Sequence, residues 1–275
     1  MKKSIIVVFI IILMVLLLAI VAAILLQKKR KRKQGTISNN NETRTRISIV
    51  IPVYPPDFKH LDKLIYHLLH EQTCTPDEIV IASSEVNEKQ ELFLPTTMGQ
   101  GIILDSVPYK QLAGANRNRG MKRASGDIIL FLDADDIYHP QKIEITRNFF
   151  NQYKNLDLLL HSYHKNNSGG YFDLDIEKKK INIVNKNVLF QGTFPNNGMR
   201  NRKEEGKENN GSTNINGSGF PIHHGVIAIS KNVKEKGFQY ESDMPFGEDG
   251  KFCRDILFDA SCQVLAIDCK LMIYN

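Results

Sequence analysis

Ile128-Ile129-Leu130-Phe131-Leu132-Asp133-Ala134-Asp135-Asp136 is the stretch on which the fold turns. Five consecutive apolar residues, led by Gly126-Asp127 and ended by acids, predict a buried central strand. Such a strand belongs to a sheet covered on both faces. Three carboxylates at its end repel one another unless something positive sits among them. A hard divalent cation, held by one or two carboxylates and by substrate phosphates, meets that need. Ligands of open α/β sheets also bind outside the carboxyl ends of the strands. The alternative is a solvated acidic turn in which Asp136 caps a helix opening near Pro140.

Upstream, the chain reads as alternating strands and helices. Ile47 to Tyr54 is a β-branched run ended by Pro55-Pro56. Leu61, Leu64, Ile65, Leu68 and Leu69 then recur at helical spacing, and Gln72 to Pro76 breaks the pattern. Asp77 to Ala82 is a second strand, so the first 35 residues or so of this region form a right-handed βαβ unit and a parallel sheet. Gly101 to Asp105 is a third, short strand. A helix opens near Gly114 and stops at Gly126, carrying Arg117 and Arg119 up to the acidic strand. Arg117 is placed to pair with a diphosphate or with the acids themselves.

Four pieces in order resemble the nucleotide-sugar half of the family 2 glycosyltransferases of GT-A fold. They are Pro52-Val53-Tyr54, Gln72 to Val80, Arg117 to Gly120, and Gly126 to Asp136. The resemblance covers Ile47 to about Phe150 and implies an α/β fold with a mixed, mostly parallel sheet and helices on both faces. It implies that Asp133 and Asp135 form a DxD motif. Asp133 would touch the nucleoside of a UDP- or GDP-sugar, and Asp135, with Asp133, would hold Mn²⁺ or Mg²⁺. Pro52, Tyr54, Ser83 and Arg117 fall on the same donor side. One departure is clear: relatives carry one or two aspartates after the second strand, where this chain has Ser83-Ser84-Glu85.

Residues 151–275 are the expected acceptor half, meeting a glycan, protein or lipid. Leu156 to Ser162 reads as a strand, and 192–218, rich in Asn, Gly, Lys and Glu, as a mobile loop. Phe220 to Ser230 reads as a strand led by His223 and His224, which either serve structure or face a metal or diphosphate. Val264 to Ile267 is the last strand expected. Phe246-Gly247-Glu248-Asp249 resembles the family's Glu-Asp motif at a helix start. The resemblance implies that Asp249 is the general base of an inverting transfer and that Glu248 supports it. An acidic pair complementing a helix dipole is the plainer account. Two other functions compete with transfer: a catalytically inactive sugar- or partner-binding protein, and a nucleotidyltransferase. The latter needs a Gly-rich phosphate loop after the first strand, where Tyr54-Pro55-Pro56 stands instead. With no further helices after the last strand, a processive synthase with its own channel is not expected.

Charge and the N-terminal segment complete the reading. Residues 1–33 hold eight basic residues and no acid, against a net charge of +6, so the remainder is net negative and a nucleic-acid partner is not expected. Residues 1–3 are a short tail, and Ser4 to Leu26 is an uncharged apolar run long enough to span a bilayer. Residues 27–46 are a basic juxtamembrane segment and stem. Lys28 to Lys33 outweigh Lys2 and Lys3, so the positive-inside rule predicts a single-pass protein whose catalytic domain, 47–275, faces the cytoplasm. Sequons at Asn41, Asn166, Asn210 and Asn216 favour a lumenal domain instead. Cys74, Cys253, Cys262 and Cys269 show no CxxC spacing and are expected as thiols.

Overall fold

A computed structural model describes residues 44–86, 101–166, 172, 176, 181–184 and 222–275. The expected span at 4–26 and loop at 192–218 lie outside them. Among the described residues no helix is long and apolar enough to cross a membrane.

The compact unit, Thr45–Asn275, is built on one nine-stranded sheet. Its strands are β1 (Ile47–Val53), β2 (Glu78–Ser83), β3 (Ile102–Ser106), β4 (Ile128–Phe131), β5 (Ile137–Tyr138), β6 (Leu156–Lys165), β7 (Asn182–Val184), β8 (Ile227–Ser230) and β9 (Gln263–Tyr274). The order is β3-β2-β1-β4-β8-β6-β9-β5, with β7 also on β9. β1 pairs in parallel with β2 and β4, and β2 with β3. β8 runs against both β4 and β6, while β6 and β9 are parallel. Six strands therefore point one way, and β5, β7 and β8 the other. The mixed, mostly parallel sheet agrees with the expectation.

The central strands explain themselves. Every residue of β1, β2 and β4 is buried, as their mostly apolar sequences require of strands covered on both faces; among the polar exceptions, Ser48 and Glu78 bond to each other (2.5 Å). Each fully buried Ile, Leu, Val or Phe contributes about 1.5–3 kcal/mol. Helix α1 (Phe58–Tyr66) follows β1 and runs on through a π turn, His67–Glu71, before Gln72 ends it. Helix α2 (Ala113–Arg123) packs on β1 and β2. It lies so close that a Cβ on Gly120 would collide with Val50 Cγ1 and sit 3.3 Å from Ala82 Cβ. Helix α3 (Lys142–Gln152) packs on β6, a short α4 (Lys231–Glu235) follows β8, and α5 (Glu248–Phe258) packs on β9.

Two expectations need correction. The strand expected over Phe220 to Ser230 begins only at Ile227, because His224–Val226 is a 3-10 turn whose Gly225 N–H donates to His223 Nδ1 (3.4 Å). The last strand, expected over Val264 to Ile267, runs on to Tyr274. All four cysteines are thiols.

Candidate active site

The topology gathers the chemistry at one edge. The carboxyl ends of β1, β2 and β4 deliver Tyr54, Ser84 and Asp133 there. Because β8 is antiparallel, its leading turn, His223-His224-Gly225, reaches the same edge.

Arg117 is the centre of the arrangement. It sits midway along α2, 3% exposed. Its Nη2 donates to Asp133 Oδ1 at 2.6 Å and its Nη1 to Glu248 Oε1 at 3.3 Å. One guanidinium therefore joins the acid after β4 to the first turn of α5. Arg117 thus pairs with the acids, one of the two roles expected for it. Burial pushes the Asp133 carboxyl up, but the Arg117 guanidinium outweighs it and holds Asp133 well below the usual carboxylate range. The Tyr240 ring lies 5.8 Å from the guanidinium carbon and stacks on Phe252 at 4.0 Å.

Asp133 is also fixed through its backbone. The Tyr138 hydroxyl accepts from Asp133 N–H (2.7 Å) and donates to Asp133 C=O (3.0 Å). Tyr138 is packed against Gly225, where a Cβ would collide with Met272 Sδ and lie 3.3 Å from the Tyr138 ring. Lys142, 1% exposed, donates to Gly225 C=O (2.7 Å) and touches His161 Nε2. Burial lowers this ammonium to about 7. A buried strut thus runs from α3 through the histidine turn to the acidic loop.

The remaining acids differ from one another in setting. Asp136 does not cap a helix. It is buried, its Oδ1 accepts from Asn275 N–H (3.1 Å), and its Oδ2 has no hydrogen-bond partner among the described residues. Burial and then Asp133 push it up to about 8. Ligand atoms of Asp133, Asp136 and His223 lie within 4.8 Å of one another. Burial lowers His223, which keeps its imidazole neutral and able to ligate. A buried carboxylate oxygen without a partner, facing a second acid and a neutral imidazole, fits a divalent cation. Asp135 stands outside this cluster, exposed at the mouth of the cleft.

That cleft is about 480 Å³, within the range of small-molecule sites. Pro52, Tyr54, Arg117, Asp133 and Asp135 line it. Ser83 does not. It is fully buried, and its carbonyl accepts from Arg119 (2.6 Å). Glu85 lines the cleft instead, with φ of 61°, a conformation that a non-glycine side chain adopts at a cost. Asp57 also lines it, presented by the Pro55–Asp57 turn; burial and then Asp135 raise its carboxyl. Its signal in the sequence was the rigid Pro55-Pro56 pair ahead of it. Ala134 and Asp135 border a second cleft of about 330 Å³ as well, with His60, Lys63 and Asn275.

Glu248 and Asp249 open α5, as expected. Gly250 N–H donates to Asp249 Oδ1 (2.6 Å), and Asp249 Oδ2 lies 3.8 Å from His224 Nδ1. Burial raises Asp249 to about 6, against the lowering effect of the Gly250 bond. His224 Nε2 approaches Glu248 Oε1 at 3.2 Å, but Arg117 donates to that same oxygen. Burial keeps His224 neutral.

This is the GT-A class of α/β fold, with acids at the end of the fourth strand and a Glu-Asp pair facing them. The chain belongs to glycosyl transferase family 2, whose model matches residues 48–214, more than half of its length. Poly(ribitol-phosphate) beta-N-acetylglucosaminyltransferase TarP of Staphylococcus aureus is 24% identical over 156 residues, which are 53% of this chain and 46% of TarP. The chain spans about half the length of the curated relatives it matches. Among solved structures, residues 1-349 of S. aureus TarS in complex with UDP-GlcNAc superpose with a TM-score of 0.56 at 14% identity, covering 83% of this chain and 58% of that one. The mannosyltransferase PcManGT of Pyrobaculum calidifontis, in complex with GDP-Man and Mn²⁺, gives 0.51 at 15% identity, covering 94% and 67%. These last two likenesses are of fold.

Proposed function

We propose that the chain transfers a sugar from a UDP- or GDP-sugar to an acceptor hydroxyl, with inversion and with Mn²⁺ or Mg²⁺ bound. The observation that carries this reading is the Arg117 bridge, which holds the donor-side Asp133 and the Glu248-Asp249 turn in one rigid unit. The cleft beside Tyr54 and Glu85 takes the nucleoside diphosphate. Asp249 takes the proton of the acceptor hydroxyl as its oxygen bonds to the anomeric carbon and the bond to the diphosphate breaks. A carboxyl near 6 is ionised at neutral pH yet basic enough for that task. Glu248, held by Arg117, orients the turn that carries Asp249. Asp133, Asp136 and His223, with Asp135 at the mouth, would hold the cation, which when bound would supply positive charge beside the diphosphate. The donors in the TarS and PcManGT complexes, and the Mn²⁺ in the second, support these choices.

The direct test is thermal shift with UDP-GlcNAc or GDP-mannose, with and without Mn²⁺. A competent site at a hundredfold excess over Kd gains about 2.7 kcal/mol. EDTA is expected to remove that gain and the activity, and Asp135→Ala to abolish transfer. Full turnover in EDTA would refute the metal role.

We further propose a single-pass membrane protein with its catalytic unit in the cytoplasm. Support comes from the sequence alone: the apolar run of residues 4–26 and the basic excess after it. Asn166 is exposed and heads a sequon, so an endoglycosidase-sensitive mass shift at that residue would reverse the orientation.

A further inference from the structure

We infer that Lys142 is a positioning residue of the candidate cation site: it holds the histidine turn, through Gly225, where His223 faces Asp133 and Asp136. This deepens the transfer reading and rests on the metal in it.

Lys142 opens α3, yet its side chain is buried. Among the described residues its hydrogen-bond partners are both neutral. Nζ donates to Gly225 C=O at 2.7 Å and touches His161 Nε2. His161 is itself buried on β6, and its Nδ1 lies 2.7 Å from Ser162 C=O. Nδ1 therefore carries the ring proton, and Nε2 is left to accept from the lysine. The amine is anchored to β6 on one side and holds the turn before β8 on the other. Neither bond requires a full charge, because a neutral amine also carries N–H donors.

Gly225 passes the hold on. Its C=O accepts from Lys142, and its N–H donates to the His223 ring (3.4 Å). The backbone has no slack there, since even a Cβ would collide with Met272 Sδ and lie 3.3 Å from the Tyr138 ring. Lys142 Nζ lies 5.4 Å from the centre of that same ring, and the Tyr138 hydroxyl bonds both the N–H and the C=O of Asp133. Two members of the cluster, His223 through Gly225 and Asp133 through Tyr138, therefore stand one contact away from Lys142. The third, Asp136, is fixed independently by Asn275 N–H. A methionine would fill the same slot without the cost of burying an amine, so what the lysine adds is its bond to Gly225. Groups that stand behind metal ligands set their orientation, and losing one typically costs about 10–100-fold in metal affinity or activity.

The test uses the full chain saturated with UDP or GDP, whichever raises its melting point. Mn²⁺ is titrated in, and binding is followed by loss of the free-ion EPR signal. Lys142→Met keeps the length of the side chain and removes its N–H donors. It should weaken Mn²⁺ about tenfold. Nucleotide affinity measured without metal should stay within about twofold, because Lys142 is not among the residues lining the donor cleft. In a His223→Ala background the same substitution should cost little further Mn²⁺ affinity, since the lysine acts through the residue already lost. His161→Leu removes the other anchor of the amine and should shift Mn²⁺ in the same direction, by about threefold; it carries the test if Lys142→Met does not fold. A merely structural lysine would lower the melting point and leave the Mn²⁺ Kd alone. An unchanged Mn²⁺ Kd in the folded variant, or an undiminished loss in the His223→Ala background, overturns the positioning role. A parent protein that binds no Mn²⁺ would instead sink the metal reading beneath it.

Discussion

Asp249→Asn is expected to slow turnover by about 10²–10⁴-fold and to leave the dissociation constant of the nucleotide-sugar nearly unchanged. The amide keeps the shape of the carboxylate and loses its basicity. The cleft proposed for the donor is lined by Tyr54, Glu85 and Asp133, and Asp249 is not among its lining residues. The loss therefore belongs to the chemical step. The pH profile follows from the raised carboxyl. A base must be deprotonated to act, so kcat should climb as pH rises through about 6 and level off above it. Asparagine at 249 should erase that limb. Stability moves the other way. A carboxyl whose folded pKa lies above its unfolded one binds protons more tightly when folded. Its contribution favours folding at low pH, diminishes as pH rises between the ordinary value of 3.8 and about 6, and is lost above that window. At pH 7.5 the asparagine variant should consequently melt higher than the parent. Near-normal turnover, or a donor Kd that weakens in step with rate, would reassign the base to Glu248 or His224.

Arg117→Met should be damaging to the fold itself. Removing one partner of a buried ion pair typically costs about 3–5 kcal/mol, because the other charge stays buried without compensation. Here two carboxylates lose their partner at once, Asp133 and Glu248. A melting point lower by roughly 10 °C is expected for a domain of this size. Asp133 is depressed largely through Arg117, so its stabilising contribution exists above the ordinary carboxyl pKa and fades as pH falls toward the depressed value. The parent should therefore lose stability on acidification over that range, and the methionine variant should show less of this dependence. Arg117→Lys should not restore the parent, since a point charge cannot reach both acids as a planar fork does. A methionine variant that melts with the parent would show that the bridge carries no stability.

The legible part of this molecule was local. The apolar run before Asp133, the βαβ rhythm from Ile47 to Ala82 and the Glu248-Asp249 helix start are each written within a dozen residues or so. What stayed hidden depends on partners far apart in sequence. Asp136 looks like any helix-capping acid until Asn275, 139 positions on, closes over it. Ser83 looked like a ligand contact because relatives bind there. The strand buries it, and the left-handed turn at Glu85 places that carboxylate on the cleft instead. Nothing near Lys142 in the sequence marks it for burial, yet it is held by His161 and Gly225. The length of β9 was readable in part: exposed Asp268 and Lys270 alternate with buried Cys269 and Leu271, the period of a strand with one wet face.

The close approach of α2 to β1 also limits how this protein can diverge. Alanine for glycine inside a helix ordinarily stabilises, by about 1 kcal/mol. At Gly120 the same change drives a methyl into Val50, so it should be tolerated only in a lineage that has first shortened Val50 to alanine, where the nearest remaining atoms are Ala82 Cβ at 3.3 Å and the residue-50 Cβ at 3.5 Å. Each step alone costs stability, one by overpacking and the other by opening a cavity. The pair is expected to form an epistatic valley, in which the glycine that seats the arginine helix can change only after its neighbour at position 50 has.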